Sequence, residues 1–138
     1  MTLAPEPRAR MRVWTALAAA AGCALVSMPT TAGSIKDQLA KLDPEERAHQ
    51  ACVIKGIDTI KHDRKLPGAE SMKTSIFGRA SFTGEVVTAK GGAVRAHNHW
   101  YKLKFDCTVT ADQMKATAFT YEIGAEVPQD KWEDLGLW

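Results

Sequence analysis

The chain has 138 residues, with 18 Lys and Arg against 16 Asp and Glu, a net charge of +2 and three cysteines. That length suits one domain with one modest core and leaves no room for several. The near-balanced charge removes the main electrostatic argument for a nucleic acid or an anionic membrane as partner.

The first 32 residues carry the strongest signal. Arg8, Arg10 and Arg12 precede an uncharged, Ala-rich run from Val13 to Met28, followed by Pro29, Thr30, Thr31 and Ala32. Basic, apolar and small residues in that order read as a secretory signal peptide cleaved near Ala32. The apolar run holds 16 residues, short of the ~20 a membrane-spanning helix needs. No transmembrane span is expected in the mature chain, Gly33 to Trp138. Three basic residues and Glu6 leave with the leader, so fifteen charges of each sign remain and the net charge falls to zero.

Cys23 lies in the apolar run, and Cys52 and Cys107 remain. An even pair in an oxidising compartment reads as one disulfide. An alternative processing site, Ala20-Ala21-Gly22-Cys23, would make Cys23 a lipid anchor.

Ser34 to Leu42 is a short helical segment with Ser34 as cap and Asp37 three residues on. Asp43-Pro44-Glu45-Glu46 opens a second helix, which should run to about Lys61. Its apolar stripe is Cys52, Val53, Gly56, Ile57 and Ile60. His62 to Ala69 is a polar connector.

Met72–Phe77 and Thr83–Ala89 read as strands, and Gly91-Gly92 as a turn or bulge before Ala93–Ala96. Trp100 to Val109 alternates strictly: Tyr101, Leu103, Phe105, Cys107 and Val109 face one way, and Trp100, Lys102, Lys104, Asp106 and Thr108 the other. Lys115–Ile123 is a further strand ended by Gly124, and Pro128–Trp132 begins a short terminal helix or turn. The expected fold class is α+β: an N-terminal helix packed on an antiparallel meander of three to five strands, spanning 33–138 as one domain.

Gly92-Ala93-Val94-Arg95, then Trp100-Tyr101 and alternation up to Cys107, resembles the bacterial domain-of-unknown-function family numbered 930. Leu42-Asp43-Pro44 with Arg47, Gln50 and Cys52 is similar to its N-terminal motif. Phe119, Tyr121, Ile123-Gly124, Pro128 and Trp132 are similar to its ending. Ala96-His97-Asn98-His99 departs from the more basic or Gly-containing turn expected there. The resemblance implies an exported protein with two paired cysteines and no established activity.

Catalytic spacing is sparse. His97 and His99 in an extended segment would share a face and form a weak metal pair, which is the basis of a metal-assisted hydrolase reading. His49 lies three residues before Cys52, but the disulfide would consume the thiol. Ser71, Ser75 and Ser81 have no Gly-x-Ser-x-Gly context, and Gly91-Gly92 is no phosphate loop. Arg95 and Trp100, with Lys102 and Lys104, form a candidate binding surface on the polar sheet face; the alternative has Trp100 cover the sheet's second face or pack beneath the terminal helix. Trp132, Leu135, Leu137 and Trp138 either dock on the domain or offer an apolar patch to a partner.

The expected protein is a periplasmic or secreted, non-catalytic binding or envelope-accessory module, with an unknown protein or envelope component as partner. No cofactor and no nucleic acid is implied. The alternatives are the hydrolase using His97 and His99, and an envelope lipoprotein anchored through Cys23.

Overall fold

The structure, a computed structural model, describes residues 33–138. The stretch read as a signal peptide, with Cys23, lies outside the described residues. Ser34 caps α1 (Ile35–Ala40): its hydroxyl accepts from the Asp37 N–H, and the Asp37 carboxylate accepts from the Ser34 N–H. Asp43 repeats the device for α2 (Pro44–His62), accepting from the Glu46 N–H at 3.0 Å. Pro44 occupies the first helical position, where no intrahelical N–H is required.

α2 buries Ala48, Ala51, Cys52, Gly56 and Ile60. That stripe includes two alanines and the glycine because the helix lies close to the sheet. A Cβ at Gly56 would come within 2.7 Å of both Met72 Sδ and Phe119 Cζ. Cys52 and Cys107 are bonded, with Cα atoms 6.0 Å apart, and this joins α2 to the strand beneath.

The strands are β1 (Ala69–Lys73), β2 (Ser81–Thr83), β3 (Val86–Ala96), β4 (His99–Val109) and β5 (Ala116–Glu126). They form one antiparallel sheet in the order β1-β3-β4-β5, and β2 also pairs with β3. The fold is α+β with a short C-terminal helix, as the patterning implies, and the helix that packs on the sheet is α2, which carries Cys52.

Three boundaries differ from the sequence reading. Met72–Phe77 is not one strand: β1 ends at Lys73, and the chain turns across the sheet so that the Ile76 and Phe77 N–H groups both donate to the Gly91 carbonyl at 2.8 Å. Thr83–Ala89 is divided by a turn at Gly84, whose φ of 63° suits glycine. Gly124 does not end β5, because a bulge there lets it run on to Glu126; Gly91-Gly92 is a bulge, one of the two forms expected for it, within a continuous β3.

Two cores result. The inner one lies between α2 and the sheet and contains Ile60, Met72, Val87, Leu103, Phe105 and the disulfide. The outer one lies on the opposite face, where Ala93, Trp100, Val127 and Leu137 are buried with Ile76, Trp132 and Leu135 against them.

Candidate functional site

Alternation along β4 puts Trp100, Lys102, Lys104 and Asp106 on the outer face, away from α2. Register then adds residues from the neighbours: Arg95 lies opposite Trp100, Ala93 opposite Lys102, Thr88 opposite Asp106, and Glu122 opposite Lys104. The face assigned to the four candidate binding residues is therefore the one observed. Lys102 and Lys104 are exposed on it, Arg95 is half-buried and Trp100 is buried.

Trp100 is 1% exposed. The chain after β5 folds back across it through a 3-10 turn (Gln129–Lys131) and α3 (Trp132–Leu135), and seals the outer core with Leu137. Trp132 Nε1 donates to the Val127 carbonyl at 3.0 Å. Lys73 Nζ donates to the Gly136 carbonyl at 2.9 Å and sits 3.7 Å from the centroid of the Trp138 ring. Trp100 is thus a core residue, and the apolar C-terminus docks on the domain. Arg95 is also committed: its Nε lies 3.5 Å from Glu70 Oε1, and its Nη2 donates to Asn98 Oδ1 at 3.2 Å.

Lys102 and Lys104 remain exposed, and the structure adds Lys90 and Phe77 to them. The four side chains, with Glu122, line a cleft of about 340 Å³ on the open half of the outer face. Lys102 Nζ lies 5.0 Å from the centroid of the Phe77 ring. Sequence reasoning passed over Lys90 and Phe77 for lack of the strand register. Lys90 precedes the double glycine that bulges β3, and Phe77 belongs to the loop misread as strand.

His97 and His99 do not share an extended segment. His97 and Asn98 have φ of 50° and 63° and form the two-residue turn between β3 and β4. The His97 ring packs over Gly68, while His99 Nδ1 pairs with Glu126 Oε1. Among the described residues no group of three His, Cys, Asp or Glu side chains converges. His49 Nδ1 meets Thr74 Oγ1 at 3.2 Å, and Cys52 is held in the disulfide. Ser75 Oγ accepts from the Ala80 N–H and so shapes the loop between β1 and β2.

One phenol is electrostatically distinctive. Tyr121 on β5 donates its hydroxyl to Asp63 Oδ2 at 2.7 Å. Desolvation, together with that hydrogen bond and the nearby carboxylate charge, pushes its pKa up to about 12. At neutral pH the phenol therefore stays protonated and donates to Asp63.

The Domain of Unknown Function (DUF930) family model matches residues 39–137, which takes in both cysteines, the outer core and the lysine cleft. The chain belongs to that family. Neither the curated proteins nor the solved structures hold a match to it. In this DUF930 chain, the residues that resemble the family's motifs serve the fold. Asp43 and Pro44 start α2, and Trp132 covers the outer core. Arg47 donates to the carbonyls of Leu39, Ala40 and Leu42, which ties down the end of α1, and to that of Asp112 in the β4–β5 turn. No helix among the described residues is long and apolar enough to cross a membrane.

Proposed function

We propose that this DUF930 protein is a small exported binding module of the cell envelope that acts by holding a partner rather than by catalysis. The open half of the outer sheet face carries the reading: Lys90, Lys102 and Lys104 stand around one cleft, while the other half of that face is sealed over Trp100. Export is supported by the order of basic, apolar and small residues before Gly33 and by the Cys52–Cys107 disulfide.

Two measurements test it. Intact-mass analysis of protein from its native host should give a chain starting near Gly33, with Cys52 and Cys107 alkylated only after reduction. A mass with acylated Cys23 would favour a lipoprotein, and an uncleaved leader would overturn export. Co-sedimentation with the envelope fraction should be lost in a Lys102→Glu/Lys104→Glu variant that melts like the parent. Unchanged sedimentation would remove the cleft from the binding surface.

A further inference from the structure

We infer that the lysine cleft is a site for a small organic anion: a phosphate or carboxylate head group on an apolar body. This rests on the binding-module reading and gives it a ligand chemistry.

Backbone geometry supplies the first argument. Two of the sheet's four register irregularities border this cleft: β3 contributes Lys90 and Gly92 from the one between Ala89 and Gly92, and β5 contributes Gly124 from the one opposite Tyr101 to Leu103. Bulges re-aim side chains and are enriched beside functional sites. Here they flank the two β4 residues, Lys102 and Lys104, that project between them. A Cβ at Gly124 would stand 3.1 Å from Lys102 Cβ, so a side chain there would press on the base of that lysine.

Charge is the second argument. Fifteen basic and fifteen acidic residues make Gly33–Trp138 neutral as a whole. The cleft departs from that balance, since three lysines face a single acid, Glu122. None of the three joins an ion pair among the described residues. Three lysines lining one concavity complement an anion.

The third argument is the lip. Phe77 is 40% exposed, and the two N–H bonds to the Gly91 carbonyl fix the loop that carries it. An exposed ring on a tied-down loop offers an apolar wall to the body of a ligand, and about 340 Å³ falls at the small-molecule end of the usual range of roughly 300–1,000 Å³.

The test is a titration of ¹⁵N-labelled protein with phenyl phosphate, benzoate and inorganic phosphate, followed by amide shifts. Saturable shifts at Gly92, Lys102, Lys104 and Gly124 are expected with phenyl phosphate or benzoate, and the tighter of the two identifies the head group. Lys102→Ala/Lys104→Ala should weaken binding about tenfold or more, as expected for lost charge-assisted contacts. Lys104→Arg should retain it, and Lys61→Ala on α2 should leave it unchanged. Phe77→Ser should reduce binding of phenyl phosphate to that of inorganic phosphate.

Shifts that fail to saturate, that spread over the other lysines, or that are the same for inorganic and phenyl phosphate would overturn the inference. If no small anion binds while envelope sedimentation still depends on Lys102 and Lys104, the ligand class fails and the binding module stands. If sedimentation is also indifferent to those lysines, both fail.

Discussion

Arg47 shows how one side chain organises two distant segments. Its guanidinium reaches four carbonyls, three at the end of α1 and one in the β4–β5 turn. Arg47→Ala should cost about 2 kcal/mol, because charge-assisted hydrogen bonds are lost while carbonyls remain to be solvated. Amide exchange should show α1 opening before α2, and unchanged exchange across α1 would contradict the tie. Trp100 has a comparable status in the outer core. Trp100→Ala should lower stability by about 3 to 5 kcal/mol, read as a shift in the urea midpoint. It is therefore a probe of folding, and the lysines are the probes of binding. At Tyr121, the folded pKa lies above the ordinary phenol value, so the unfolded chain releases its proton first as pH rises. The corresponding stabilisation is intact below about pH 10 and is lost as pH climbs through about 12. Tyr121→Phe should flatten the stability profile in that window and remove the late step of the phenolate absorbance titration.

At the level of elements, the contact between α2 and the sheet depends on the absence of a side chain at Gly56. Gly56→Val should destabilise by about 1 to 3 kcal/mol through overpacking against Met72 and Phe119, checked by chemical denaturation. The helices were legible in the sequence because their signals are local: Ser34 and Asp43 cap, Pro44 starts and Cys52 lies on the buried stripe. β4 was legible because alternation needs no partner. Where the reading failed, the cause was pairing between strands. Gly124 looks like a terminator until β4 is placed beside it, when it becomes a bulge within a longer strand. The Ile76-Phe77 pair looks like strand, yet its N–H groups bond across to a bulge carbonyl.

For the whole molecule, the candidate site was half legible for a related reason. Period-two parity assigns Trp100, Lys102 and Lys104 to one face, but nothing local to β4 says that Val127 and Leu137 return to cover one end of it. The disulfide, by contrast, followed from counting cysteines. It spans 55 residues of sequence, and the chain-entropy account assigns such a loop about 4 kcal/mol. Reduction should lower the melting temperature, and Cys52→Ser/Cys107→Ser should match the reduced protein and lose any response to reductant. A double variant that melts like the oxidised parent would sink the bridge as a stabilising element.

The same bridge changes what a protease can accomplish. Four connections, from the polar segment after α2 to the β3–β4 turn, lie between Cys52 and Cys107. A single cut there adds one water molecule to the mass but releases no fragment, because both halves stay joined through sulfur and through the sheet. Damage of this kind would accumulate unseen in an oxidised sample, and a denaturing gel would reveal it only after reductant was added.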